Sequence, residues 1–169
     1  SGTDADGIVV NGMSNYARNS RWSNSALVVS VKGGVDFKTD KPLSGLDFQR
    51  DIEKKAFEVS TELASGKELP SQTLRDFLDG NIGKTALPKT STPSGIVEAQ
   101  LSTVLPEFIT NHLRDALLQF DQRMNGFVSK NALLLAPETR TSAPVTILRD
   151  RDSLESTSHK GLYPCGEGA

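Results

Sequence analysis

The chain has 169 residues, 19 Lys and Arg against 21 Asp and Glu, a net charge of −2 and one cysteine. That length suits one domain, or one domain with a small appendage, and the absence of any basic run argues against a nucleic-acid partner. No apolar stretch approaches the roughly 20 residues needed to span a bilayer, and the lone Cys165 excludes an internal disulfide or a Cys-cluster zinc site.

Residues 1–7 are small and polar and read as the exit of a loop. Ile8-Val9-Val10 is a short apolar strand candidate. Residues 11–25 are dense in Asn and Ser, whose side chains bond nearby backbone and favour turns. Long loops of this kind are often functional, and the amides and hydroxyls here suit a polar ligand or cofactor ring. Ala26-Leu27-Val28-Val29-Ser30-Val31 is the next predicted strand, ended by Gly33-Gly34.

The middle of the chain predicts helices. Ile52, Ala56, Val59 and Leu63 recur at helical spacing, with Gly45 or Asp47 at the start and Gly66 as the stop. Ser71 then precedes Leu74, Phe77 and Leu78, and Gly80 follows: a short capped helix. Residues 81–95 read as an exposed connection. Residues 96–105 suggest a short helix with Val97, Leu101 and Val104 on one face. Pro106 suits the first turn of the strongest helix, whose stripe is Ile109, Leu113, Leu117, Phe120 and Met124, ended by Gly126.

The tail returns to strands: residues 132–136 and 145–148, with a charged turn at Arg149-Asp150-Arg151-Asp152. Residues 161–169, Gly-Leu-Tyr-Pro-Cys-Gly-Glu-Gly-Ala, read as a short buried strand followed by a glycine turn that would open a helix. The chain stops there, so the expectation is a domain cut from a longer protein. The order predicts an α+β domain: a small, mostly antiparallel sheet with a subdomain of three to four helices, residues 46–126, inserted between strands.

Several motifs carry candidate chemistry. Gly83-Lys84-Thr85 imitates the end of a phosphate loop, but the required earlier glycine is Leu78 and Pro88 interrupts any following helix. His112 and His159 lack companions at metal-ligand spacing, so no metal site is expected. No G-x-S-x-G elbow marks a hydrolase. In residues 138–147, Arg140 with its neighbouring hydroxyls suits an anion or a polar ring edge; the plain alternative is that Glu138 and Arg140 pair on the solvent side. At the tail, Gly166 and Gly168 permit close backbone approach to a ligand, and Glu167 suits a sugar-like hydroxyl.

Four blocks in order carry a resemblance: Val10-Asn11-Gly12-Met13-Ser14-Asn15-Tyr16-Ala17-Arg18; Asn24-Ser25-Ala26-Leu27-Val28-Val29; Glu138-Thr139-Arg140-Thr141-Ser142-Ala143-Pro144-Val145; and residues 161–169. Together they resemble a bacterial family of FAD-dependent dehydrogenases, NAD/FAD-utilizing oxidoreductases. The resemblance implies that residues 1–160 are a substrate or insert domain and residues 161–169 begin the return to a Rossmann-type FAD domain. That domain, with its G-x-G-x-x-G fingerprint, would lie in the remainder of the parent chain. It implies FAD in the parent, with NAD(P)H as a candidate electron donor. By the same resemblance Gly166, Glu167 and Gly168 are cofactor-binding, Glu167 at the flavin ribityl chain. Arg140, Thr141 and Ser142 would face the flavin or an unknown small-molecule substrate, as would Asn11, Ser14 and Asn24. Cys165 falls where a small residue is expected; the burial habit of free cysteine favours a packed small residue, with a redox thiol as the alternative.

The implied function is an insert domain covering the flavin site of an oxidoreductase, inactive alone, with a cytoplasmic address by default. The rival reading is a non-catalytic interaction module whose residues 46–126 form a helical docking surface.

Overall fold

The structure is a computed structural model describing residues 2–12 and 16–169. It is α+β. Gly2–Asp4 (β1) pairs antiparallel with Gly7–Val9 (β2). The helix Ser44–Leu63 (α1) follows, then Leu69–Thr73 (β3), Leu74–Asp79 (α2), Ile96–Glu98 (β4), a 3-10 turn at Leu101–Thr103, Glu107–Arg123 (α3) and Leu133–Leu135 (β5). The second sheet has the order β4-β3-β5. β3 runs parallel to β4, with Leu69 opposite Ile96, and antiparallel to β5, with Ser71 opposite Leu135. Two of the three strand pairings are therefore antiparallel, as the sequence predicts. Residues 46–126 hold three of the predicted helices, the first starting slightly earlier at Ser44, and also β3 and β4.

α1 forms where the apolar spacing predicts, but its buried row is Ile52, Ala56 and Ser60, with Glu53 beside it. The predicted Leu63 ends up half-exposed at the last turn. The helix begins ahead of Gly45 and Asp47; no side chain caps it, and Asp47 lies in its first turn, where a carboxylate favours the dipole. Ala56 joins Ile8, Leu69 and Val104 in one buried cluster, so α1 packs on β2 and β3.

β3 is the central strand and all five of its residues are buried. Its sequence, Leu-Pro-Ser-Gln-Thr, hides it from pattern reading, because Pro argues against a central strand and three polar residues break the apolar run. Its polar groups find partners. The Ser71 hydroxyl donates to Leu69 O at 2.8 Å, and Gln72 Oε1 accepts from Leu101 N at 3.0 Å. Thr73, not Ser71, caps α2, accepting from Asp76 N at 3.2 Å. Gly80 closes that helix in the left-handed region at φ +68°, which favours glycine.

Leu74, Phe77, Leu101, Leu117 and Ala136 make the second cluster, onto which Leu27, Leu113 and Phe120 pack. Four predicted elements differ. Residues 96–105 are strand β4 and a 3-10 turn rather than a helix. Three residues suffice to pair with β3, and pairing outweighs a weak helical spacing. Residues 26–31 and 145–148 belong to no strand. Residues 161–169 are not a buried strand: Leu162 and Tyr163 are exposed, and only Pro164 is buried. Residues 26–31, 145–148 and 161–169 join no sheet among the described residues. There, no helix is long and apolar enough to cross a membrane.

Candidate functional site

α1 presents Gln49 and Glu53 one turn apart, on the same face. Both hold the irregular segment after β5. Glu53 is 4% exposed and would be costly there without partners. Its carboxylate accepts from Arg140 Nε at 2.9 Å and Nη2 at 2.7 Å, and from the Thr139 hydroxyl. The Arg140 bonds are a two-pronged guanidinium–carboxylate contact, which fixes orientation as well as position. Gln49 Nε2 donates to Thr139 O at 2.7 Å and to Ser142 O at 3.4 Å. Gly7 closes over the pair: a Cβ there would lie 3.5 Å from the Glu53 Cβ.

This corrects the solvent-side reading, because Arg140 pairs with Glu53 of α1 and not with Glu138. The pairing leaves the Arg140 side chain 54% exposed, with Glu53 beneath it at 5%. Thr141 and Ser142 are exposed beside it. The arrangement is a half-exposed guanidinium anchored from below, with the exposed Thr141 and Ser142 next to it in sequence. It can present positive charge and hydrogen-bond donors to an anionic or polar group.

The Asn-rich block reaches this segment through backbone: Val10 N donates to Pro137 O at 2.8 Å. Asn11 is exposed. Asn24 folds back on Gly12, where a Cβ would stand 2.9 Å from Asn24 Oδ1, so a side chain there would displace the amide. Ser14 lies outside the described residues.

The tail meets the same segment further along. Ile147 N donates to Gly168 O at 2.7 Å, and a Cβ on Gly168 would lie 3.4 Å from the Ala143 Cβ. Arg149 Nη1 donates to Pro164 O at 2.7 Å and ties the tail down upstream. Gly166 takes φ +98° with open space around its Cβ position. Glu167 is exposed. Cys165 is exposed too, which corrects the expectation of a packed small residue.

The weaker motifs resolve into structure. Thr85 N and Oγ1 donate to the buried carboxylate of Asp76, and Gly83 N donates to Glu98 Oε1 at 3.1 Å. Side-chain carboxylates thus occupy the Gly83-Lys84-Thr85 turn where a phosphate loop would hold an anion. His112 Nδ1 bonds Phe108 O, and His159 Nδ1 bonds Ser158. Among the described residues no His, Cys, Asp and Glu cluster could hold a metal. A cleft of about 360 Å³ between Phe48, Ile52, Lys55, Glu58 and Val104 contains none of the candidate residues. Sequence reading passed over Gln49 and Glu53, which look like ordinary solvated positions of a charged helix. The available signal was the adjacency of Glu53 to Ile52 on the buried stripe.

Residues 1–141 match the sequence model of a family described as "FAD-dependent protein, C-terminal domain-like". The chain belongs to this family. The match takes in Asn11, Asn24, Glu53, Arg140 and Thr141, and stops before Ser142 and the tail. An uncharacterized protein of Clostridium beijerinckii (strain ATCC 51743 / NCIMB 8052) is 39% identical over 163 residues, 96% of this chain. The chain spans 30% of that relative's length. Membership of an FAD-dependent family agrees with the resemblance carried by the four blocks, at the level of cofactor class.

Proposed function

We propose that this chain is the domain of a larger FAD-dependent oxidoreductase, a dehydrogenase, that covers and shapes the flavin site without being catalytic alone. The observation that carries the reading is the convergence on residues 137–147. Val10 meets Pro137, Glu53 holds Arg140, and Gly168 lies on Ala143 and Ile147. Two of the resembling blocks, the first and the last, far apart in sequence, thereby contact one irregular segment that contains the third, and its Glu138, Arg140, Thr141 and Ser142 are exposed.

The residues fit a flavin as one wall, not as an enclosing pocket. Gly166 leaves open space at a left-handed turn, Glu167 is exposed beside it, and Arg140 offers an anchored, half-exposed guanidinium. Gly166, Glu167 and Gly168 would hold the cofactor, with the Glu167 carboxylate accepting from ribityl hydroxyls. Asn11, Asn24, Arg140, Thr141 and Ser142 would face the ring or the substrate. FAD, when bound, supplies the electron-transfer chemistry. These residues orient and exclude water, and the Arg140 charge favours anionic groups on its outer side. The remaining polypeptide would supply the rest of the FAD-binding fold.

The test is flavin content of the complete parent protein after purification. It retains flavin, and Glu167→Ala retains less while its far-ultraviolet circular dichroism is unchanged. If Glu167→Ala keeps all of its flavin, the tail has no part in the site.

A further inference from the structure

Residues 25–31, Ser-Ala-Leu-Val-Val-Ser-Val, lie outside every helix, strand and turn. From Leu27 to Ser30 exposure alternates with period two, as in a strand, while Ser25, Ala26 and Val31 are exposed. Leu27 and Val29 are partly buried, and Ser30 and Val28 are exposed, Val28 at 66%. Leu27 packs on the cluster around Leu74 and Phe77, which anchors one face. Among the described residues, no backbone group of 25–31 makes a hydrogen bond.

Such a segment is a hazard as it stands. It is rich in β-branched residues and has no Pro and no charge; the flanking charges are Arg21 and Lys32. Sheet edges in natural proteins are blunted by charge, Pro or a bulge, or else they are covered. Nothing blunts this one. Its unpaired N–H and C=O groups are matched only by another backbone row, so the fitting partner is a strand rather than a helix.

We propose that residues 25–31 pair with an edge strand in the remaining polypeptide of the parent protein, and that this is where the domain docks. The proposal rests on the chain being one part of a longer FAD-dependent protein. The relative exceeds this chain's length by far, since the chain spans 30% of it. A tethered partner acts at an effective concentration of order millimolar, which a separate copy at micromolar concentration does not match.

The test is amide hydrogen exchange on the full-length parent, with flavin content measured on the same sample. Amides within 26–31 exchange at least roughly a hundredfold more slowly than an unstructured chain, as paired strands do. The protection is independent of protein concentration. Val28→Pro and Val29→Pro, which between them remove an N–H from either edge of the segment, restore fast exchange there and leave α1 and α3 protected. Unprotected amides in wild-type parent overturn the proposal, whether or not flavin is bound. Protection that grows with concentration alongside dimer formation also overturns it, in favour of a second copy. Protection in a parent without flavin supports docking while removing the FAD reading.

Discussion

Glu53 of α1 and Arg140, 87 positions later, share two hydrogen bonds of 2.9 and 2.7 Å. That contact gives a segment without regular structure a fixed place on a helix. A buried carboxylate with a half-exposed guanidinium above it is an asymmetric pair. Removing either group costs stability, but removing the arginine strands a charge.

Arg140→Ala is expected to lower stability by about 2–4 kcal/mol, since an uncompensated buried charge is expensive. Adding Glu53→Leu to Arg140→Ala recovers part of that loss. Urea unfolding with an unchanged m value measures both. If the two changes add instead of compensating, the pair is not coupled as described.

Gln49 donates to two carbonyls, those of Thr139 and Ser142. Gln49→Ala is expected to cost about 1 kcal/mol, the net worth of a hydrogen bond. Gln49→Glu is worse, because a carboxylate would face the same oxygens without a donor. Limited proteolysis detects the change as faster cleavage within 138–144.

Gly45 lies inside the first turn of α1, where Ala is intrinsically better by about 1 kcal/mol. Yet a Cβ there would come within 2.8 Å of Pro144 O and 3.1 Å of the Pro144 Cβ. Overpacking against backbone costs about 1–3 kcal/mol, so the steric term wins. Gly45→Ala is expected to be destabilising by thermal unfolding, and an increase in melting temperature would mean that this contact is loose.

Glu68 is held down to about 2 from 4.5, chiefly by the Ser65 backbone N–H, with its own N–H, the Ser65 hydroxyl and the Lys67 N–H adding to the effect. A carboxyl lowered in the folded state stabilises the fold fully above its unfolded value. That contribution is lost as pH falls through the window between 4.5 and about 2. The melting temperature of wild type should exceed that of Glu68→Gln above this window and converge with it at the acid end. A difference that persists unchanged at the acid end contradicts the assignment.

Legibility in the sequence followed the physics of each element. α1 and α3 were readable because apolar residues at helical spacing bury one face. β3 was not: its Pro70, Ser71, Gln72 and Thr73 are buried by hydrogen bonds that no apolar pattern announces. Residues 26–31 have the strand pattern without the pairing, since composition specifies a strand and only a neighbour makes one. Arg140 was legible as a candidate and its partner was not, because Glu53 sits among Lys54, Lys55 and Glu58 on a helix that reads as solvated. The tail's glycines were legible, but its burial was not, since Leu162 and Tyr163 face outward.

The most direct measurement of the central claim is the visible absorption spectrum of the complete parent protein, as wild type and as Arg140→Ala, each with added FAD. The account predicts a flavin spectrum in wild type that is weakened or shifted in folded Arg140→Ala. A folded parent that stays colourless and cannot be reconstituted with FAD would contradict the flavin-site reading. A flavin spectrum indifferent to Arg140 would remove this domain from the site.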